Sequence, residues 1–176
     1  RLNKANDVVK EILKEPGSEA IAVQVDASNK ASFQEALEVT LGKFDKVDIL
    51  INGAGINSPT PFFDIGLEEF NNVMSSQVTS TLLGCQVFGK YMLDKGSGSI
   101  VNISSASAGP PLSRAFSYSI AKAGILNLTQ NLGREWGAKG VRVNAIRPGF
   151  FPTEWNRKNF IDKHREKAIL GHTPMK

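Results

Sequence analysis

A serine, a tyrosine and a lysine in the second half of the sequence are spaced so that they could transfer protons. Tyr118 follows Ser105 by thirteen positions, and Lys122 follows Tyr118 by four. Residues four apart lie on the same face of a helix, so the Lys122 ammonium can lie beside the Tyr118 phenol. A nearby cation favours phenolate, which predicts a Tyr118 pKa below its ordinary value of about 10. An ordinary pair on a helix surface has the same spacing, so the surrounding residues have to decide between the two interpretations.

Apolar patterns on both sides of this stretch predict alternating helices and strands. Helical spacing indicates helices over about 2–13, 28–44, 67–93 and 116–136, the second of them capped by Ser28. Short runs rich in β-branched residues indicate strands over 20–26, 47–51, 99–104 and 141–146. This alternation predicts βαβ units and an α/β fold, a Rossmann-like three-layer αβα arrangement with a parallel sheet.

Residues suited to ligand binding follow the carboxyl ends of these predicted strands. They are Asp26, the run Asn52, Gly53, Ala54 and Gly55, then Ser105, and then Pro148 and Gly149. Open parallel sheets bind ligands at this edge, and glycine allows backbone to approach a flat ligand because it has no Cβ. A tight turn or a strand end explains each feature equally well or better when it is taken alone. Their order along the chain predicts one shared site.

Composition limits the class of protein. The 176 residues are 41% hydrophobic and 22% charged, which is typical of a single globular domain. The net charge of +4 comes from scattered basic residues, so we expect a solvated surface and no nucleic-acid partner. A single cysteine, Cys85, excludes an internal disulfide and a cysteine-based metal site, and we expect no metal. No run approaches the about 18 apolar residues of a membrane span, which predicts a cytoplasmic protein.

Taken in order, these motifs resemble the short-chain dehydrogenase/reductase (SDR) family over essentially the whole chain. The resemblance implies NAD(P)-dependent hydride transfer between an alcohol and a ketone. Ser105 would hold the substrate oxygen, Tyr118 would exchange its proton, and Lys122 would lower the Tyr118 pKa and bind the nicotinamide ribose. It also implies contacts with NAD or NADP for a set of residues that comprises Asp26, Asn52, Gly53, Ala54, Gly55, Tyr118, Lys122, Pro148, Gly149 and Thr153.

The sequence departs from the family pattern at two positions. Gln77 stands where the family has a fourth catalytic residue, an asparagine that orders a water chain to the lysine. Glutamine offers the same amide on a stem one methylene longer, so we count Gln77 among the catalytic candidates. Gly53 replaces the second asparagine of the family's Asn-Asn-Ala-Gly motif, and it still allows close backbone approach.

Some family elements have no counterpart in the printed sequence. The first two strands, the glycine-rich turn that binds pyrophosphate and the last strand are missing, so we expect a partial domain over 1–176, truncated by about 40 residues at each end. Its substrate side would cover about 150–176. The family's strand order would place two missing strands between the strand at 20–26 and the strand at 47–51, so that the strand at 20–26 would form an orphan edge. The residues that normally distinguish NAD from NADP lie in the missing part.

Two segments, 109–114 and 147–152, resemble the bacterial sugar-acid dehydrogenases and in particular the D-mannonate oxidoreductase (fructuronate reductase) group. Arg147 and Arg114 could bind a substrate carboxylate, although pairing with acids or exposure to solvent is an equally good account of both. Asn57 and Trp155 are weaker substrate candidates. The alternatives are a reductase of 3-oxoacyl groups or simple ketones and, from another class, a truncated non-catalytic binding or assembly protein. The resemblance further implies a homodimer or homotetramer paired through the helices at about 67–93 and 116–136.

Overall fold

The computed structural model describes residues 2–109 and 115–171, without the side chains of residues 155, 159 and 160. In chain order its elements are α1 (Leu2–Ile12), α2 (Lys30–Phe44), β1 (Ile49–Asn52), α3 (Leu67–Met74), α4 (Ser80–Lys95), β2 (Gly98–Ile103), α5 (Phe116–Trp136), β3 (Val141–Ile146), α6 (Glu154–Phe160) and α7 (Lys163–Gly171). Short 3₁₀ turns cover Phe62–Asp64, Ala106–Ala108 and Gly137–Lys139. Within the described ranges, none of the helices combines the length and the apolar character needed to cross a bilayer.

The three strands form one parallel sheet in the order β1-β2-β3. Its register sets Asn52 opposite Asn102 and Ile103 opposite Ile146. One face is packed against α4 and α5, and the core there is made of Cys85, Met92, Ile100, Val141 and Val143. Removal of these side chains from water is the main favourable contribution to folding. The expected α/β fold with a parallel sheet is therefore confirmed, and all three strands end at the same edge.

The predicted strand at 20–26 is wrong. This segment has no regular secondary structure and belongs to no sheet in the structure. Residues 20–23 are half-buried, and Val25 is exposed. A strand needs a neighbour for its backbone N–H and C=O groups, and no strand lies beside this segment in the described parts of the chain. Its β-branched composition therefore did not suffice to predict a paired strand.

Two details of the helices also differ from the prediction. Asn29, and not Ser28, caps α2, because the Asn29 side chain accepts a hydrogen bond from the Ala31 N–H at 2.9 Å. The long predicted helix is interrupted at Ser75–Thr79 by a π-helical turn that joins α3 to α4. Such turns are rare in proteins, and those that occur often lie at functional sites. This one contains Gln77.

The turn between α5 and β3 depends on Gly140. Its φ is +82°, and a Cβ at this position would overlap the backbone carbonyl of Gly96. We expect Gly140→Ala to lower the free energy of unfolding by about 2 kcal/mol, because the residue would be strained and neither backbone can move aside cheaply. Urea unfolding measures the change. Gly42→Ala, in α2 with open space around the glycine, is the matched control and should stabilise slightly. Equal stabilities of the two variants would contradict this account.

Candidate active site

The end of β2 is joined to the middle of α5 by two hydrogen bonds. The Lys122 ammonium, with its residue 4% exposed, donates to the Ile103 carbonyl at 2.6 Å. The Ser104 hydroxyl donates in return to the Lys122 carbonyl at 2.9 Å. The buried, small Ala121 allows the helix to approach the strand closely. These contacts fix the position of α5 along the direction of β2, and therefore the position of Tyr118 and Lys122 relative to Ser105.

The Ser105 hydroxyl is oriented by its neighbour Ser107. Both the backbone N–H and the hydroxyl of Ser107 donate to Ser105 Oγ, at 3.2 and 3.1 Å. These two bonds use both acceptor sites of the Ser105 hydroxyl, so its own O–H is left as a donor. The Ser105 hydroxyl interacts with the Tyr118 side chain in the direction that lowers the Tyr118 pKa. The structure therefore brings Ser105, Tyr118 and Lys122 together as the sequence predicted.

The pKa values of the pair differ from the prediction. Burial raises the pKa of Tyr118 above its ordinary value, and the hydrogen bond from Ser105 lowers it only in part. Burial also lowers the pKa of Lys122 to about 8. The Lys122 ammonium lies 5.3 Å from the centre of the Tyr118 ring and is bonded to a carbonyl. The expectation of a lowered Tyr118 pKa is therefore wrong for the protein alone, since the loss of solvent outweighs the effect of a cation that lies over the ring face.

The loop after β3 is bonded to the loop that carries Ser105. The Ser104 N–H donates to the Ile146 carbonyl at 2.9 Å, and the Ala106 N–H donates to the Pro148 carbonyl at 3.0 Å. Arg147 adds two bonds from its side chain, Nε to the Ser105 carbonyl and Nη2 to the Ala106 carbonyl, both at 3.2 Å. Arg147 and Pro148 thus adjoin the loop that carries Ser105.

Gln77 is 2% exposed and contacts the loop that follows β1. Its Nε2 donates to the Ile56 carbonyl at 2.8 Å, and a Cβ on Gly55 would overlap its amide. Its Oε1 is buried and has no partner among the described residues. The amide therefore holds the loop that contains Gly55, which explains the glycine at that position.

A buried polar seam runs from β1 across β2 to α5. Asn52 Nδ2 donates to Asn102 Oδ1 at 2.9 Å, and Asn102 Nδ2 donates to the Thr129 hydroxyl at 2.9 Å. The Cys85 thiol contacts both amides, and burial raises its pKa to about 11. Asn52 thus points into the protein and not toward a ligand at the rim. The sequence interpretation missed Asn102, Thr129 and Ser107, although an asparagine within an apolar strand was a signal for the first.

The remaining predicted residues are not brought to the serine by any described contact. Asp26 accepts hydrogen bonds from the Ser28 N–H and hydroxyl, which lower its pKa. Thr153 caps α6 by accepting from the Asn156 N–H. Asn57 lines a cavity of about 400 Å³ with Glu68 and Glu69, and neither Ser105 nor Tyr118 lines it. Arg114 lies outside the described residues, as does the side chain of Trp155. The contacts of all these residues with ligands stay predictions.

The described residues fit one half of a nicotinamide cofactor. Gly53 and Gly55 follow β1 at the rim, both exposed, and the Lys122 ammonium is bonded to the Ile103 carbonyl at the end of β2, at the same edge of the sheet. The buried Lys122 ammonium donates to one acceptor among the described residues, the Ile103 carbonyl, and so has donors left for ribose hydroxyls. The described chain contains no glycine-rich turn of the kind that holds a pyrophosphate. The fit therefore covers the nicotinamide and ribose side.

The chain is similar in sequence and fold to known proteins. The family described as short chain dehydrogenase matches residues 1–164. The chain belongs to the short-chain dehydrogenase family. This membership confirms the expected class, an NAD(P)-dependent oxidoreductase of Rossmann type, and the choice between NAD and NADP stays open.

Several known proteins are similar to this short-chain dehydrogenase, among them the following three. The uncharacterised oxidoreductase UxuB of Bacillus subtilis is 39% identical, over 98% of this chain and 69% of its own. The 3-oxoacyl-[acyl-carrier-protein] reductase of Synechocystis is 37% identical, over 85% of this chain and 60% of its own. A crystal structure of a candidate NAD(P)-dependent gluconate 5-dehydrogenase from Beutenbergia cavernae, with bound NADP, has a TM-score of 0.89 at 29% identity, over 99% of this chain and 69% of its own. The chain thus spans about two thirds of the length of these proteins.

Proposed function

We propose that the protein containing this chain interconverts a secondary alcohol and a ketone of a sugar acid, such as D-mannonate and fructuronate. NAD or NADP, when bound, supplies or accepts the hydride. The observation that carries the proposal is the cluster of Ser105, Tyr118 and Lys122, with the Arg147 guanidinium bonded to the backbone of the same serine. Substrate, cofactor choice and the roles of these residues are all part of the proposal.

In carbonyl reduction the Ser105 hydroxyl donates a hydrogen bond to the substrate oxygen. Because Ser107 fills both acceptor sites of Ser105 Oγ, the Ser105 O–H is left as a donor, and it turns from Tyr118 to the substrate oxygen when substrate binds. Tyr118 gives its proton to the same oxygen as negative charge develops there, and it recovers a proton from solvent afterwards. Its raised pKa keeps Tyr118 protonated at neutral pH, which suits an acid. In alcohol oxidation Tyr118 takes the proton and acts as the base.

Arg147 supports a sugar acid as the substrate. Arg147 is exposed, and its Nη1 makes no hydrogen bond within the described residues. The outer edge of the guanidinium can therefore bind a carboxylate with two parallel hydrogen bonds. The similarity to a candidate gluconate 5-dehydrogenase agrees with a polyhydroxy acid. Arg114 and Trp155 stay further substrate candidates.

A second candidate is the reduction of 3-oxoacyl groups, which the 37% identity with the Synechocystis reductase favours. The test is to incubate the protein expressed from its complete coding sequence with NADH or NADPH and three substrates, D-fructuronate, D-fructose and an acetoacetyl thioester. We expect the highest kcat/KM for D-fructuronate, because D-fructose has the same skeleton without the carboxylate. A preference for the thioester would reject the sugar-acid proposal, and no turnover by a folded protein would favour a non-catalytic binding protein.

We also propose that the protein is a cytoplasmic homodimer or homotetramer paired through α3, α4 and α5. Apolar side chains stay exposed near the amino-terminal ends of α3 and α5, namely Phe62, Phe63, Leu67, Phe116 and Ile120. Phe62 stacks edge-on against both Phe63 and Phe116, which gathers the exposed aromatic surface into one patch. Such patches are typical of interaction surfaces. Light scattering after size exclusion would measure the mass, and a monomer would reject the proposal.

A further inference from the structure

We infer that Arg147 is a positioning residue that holds the backbone of the catalytic serine, in addition to any contact with substrate. Two carbonyls accept from one edge of its guanidinium, Nε to Ser105 and Nη2 to Ala106, both at 3.2 Å. This pair of bonds, which we call the Arg147 clamp, joins the loop after β3 to the loop after β2. The inference rests on the proposed function only where turnover is used to test it.

The position of the clamp in the sheet explains why a long side chain is needed there. The backbones of the two loops already pair through the Ser104 N–H with Ile146 and the Ala106 N–H with Pro148. In this alternating pattern the Ser105 carbonyl accepts from the Ala108 N–H at 3.1 Å and from no backbone N–H of the loop after β3. The Arg147 side chain adds a bond between the loops at a carbonyl that the alternating backbone pattern does not use for this purpose. Four hydrogen bonds between loops thus converge on three consecutive residues with Ser105 at the centre.

Gly109 provides the space for the guanidinium. A Cβ on Gly109 would lie 2.6 Å from Arg147 Nη2, well inside contact distance. Gly109 directly follows the 3₁₀ turn Ala106–Ala108, which Ser105 caps by accepting from the Ser107 N–H. The guanidinium therefore lies between the two ends of the serine loop. Any side chain at position 109 would push it away from the Ala106 carbonyl.

The bond geometry separates the clamp from substrate binding. The clamp uses Nε and one hydrogen of Nη2, so both Nη1 hydrogens and the second Nη2 hydrogen remain for a carboxylate. The clamp should affect the turnover of every substrate, because it sets the position of the Ser105 backbone and therefore of its hydroxyl. A carboxylate contact acts only on acids. Loss of Arg147 should therefore affect a neutral substrate as well as an acid.

The experiment compares Arg147→Ala, Arg147→Lys and the control Arg142→Ala, which removes an exposed arginine from β3 of the same protein. With D-fructose as the neutral substrate, we expect kcat of Arg147→Ala to fall about 10- to 100-fold while KM stays within about twofold, because a small displacement of a catalytic group has effects of this size. Added guanidinium chloride at low millimolar concentration should restore part of kcat. Arg147→Lys should be intermediate, since lysine can donate to a carbonyl but not as a fork.

Amide hydrogen exchange provides a readout that needs no activity. The Ala106 N–H, which donates to Pro148, should exchange at least about tenfold faster in Arg147→Ala than in the parent or in Arg142→Ala.

A rise in KM confined to D-fructuronate, with unchanged Ala106 exchange, would overturn the clamp and leave Arg147 as a substrate ligand. Unchanged kinetics and exchange would overturn it as well. If D-fructuronate is no substrate but D-fructose is, the sugar-acid proposal fails and the clamp is still tested. If neither is turned over, the exchange rates decide.

A double-mutant cycle then tests the role of Gly109. Gly109→Ala should accelerate Ala106 exchange in the parent protein and add little when Arg147 is already alanine, because both changes break the same contact. Additive effects on the exchange rate would show that Gly109 acts independently of Arg147, which would overturn the space-providing role of Gly109.

Discussion

Tyr118→Phe is expected to lower kcat by about 10³-fold while the affinity for NAD(P)H changes by less than about threefold. The substitution removes the one hydroxyl that the structure places beside Ser105 on α5, and general acid catalysis contributes about 10²- to 10⁴-fold in enzymes. Steady-state turnover of D-fructuronate and fluorescence titration with the reduced cofactor measure the two quantities. The sequence contains one other tyrosine, Tyr91 on α4, so Tyr91→Phe is a matched control that should retain kcat.

The pH dependence of the parent protein has a defined sign. Because burial raises the Tyr118 pKa above its ordinary value of 10.0, the residue stays protonated through the neutral range. Carbonyl reduction should therefore be level between about pH 6 and pH 9, and alcohol oxidation should rise with pH over the same range. A reduction rate that falls between pH 7 and pH 9 would contradict this expectation. It would instead support either the lowered Tyr118 pKa that the sequence predicted or a requirement for charged Lys122, whose pKa is about 8.

Lys122→Met is expected to remove a pH-dependent part of the stability. The Lys122 pKa falls from 10.5 to about 8 in the folded chain, so the unfolded chain binds more protons between these values and stability rises with pH across the window. Below pH 8 the folded chain carries the full cost of a buried ammonium. Relative to Lys122→Met, the free energy of unfolding of the parent should rise by about 2 kcal/mol between about pH 7 and pH 10.

Urea unfolding of both proteins at several pH values measures this difference. The Cys85 thiol, with a pKa of about 11, changes stability in the opposite direction at high pH, but it is present in both proteins and cancels. Lys90→Met, which removes an exposed lysine from α4, is the control and should show no such trend. A constant difference between parent and Lys122→Met across the range would mean that Lys122 is not desolvated in the folded chain.

The sequence predicted the elements whose pattern is local. Val141–Ile146 was predicted with its observed bounds, and the bounds of β2 and α5 within one residue, because glycine stands at or just before the start of both strands and directly after the helix. Ser105, Tyr118 and Lys122 follow from spacing on these elements. The strand at 20–26 could not be predicted in the same way, since pairing depends on a neighbour that local composition does not reveal.

Features that depend on contacts distant in the sequence were the ones missed. Nothing local indicates the π-helical turn at Gln77, whose amide reaches the Ile56 carbonyl from twenty-one residues away. The two bonds of Arg147 to the serine loop span 42 and 41 residues. The direction of the Tyr118 pKa shift depends on burial, which spacing along a helix does not give. The chemistry of a residue is thus readable from the sequence, while its orientation is set by the fold.

The buried seam of Asn52, Asn102 and Thr129 also fixes the register of β1 and β2, and with it the positions at which their loops leave the sheet. Asn52 and Asn102 are direct partners in the parallel register, and a slip of one residue would turn one amide to the opposite face and leave its partner unbonded in the interior. Gly53 follows one amide immediately, and Ser105 follows the other by three residues. The two loops therefore leave the sheet at a fixed relative height, which makes the alignment of cofactor side and serine side a property of strand pairing, set before any ligand arrives.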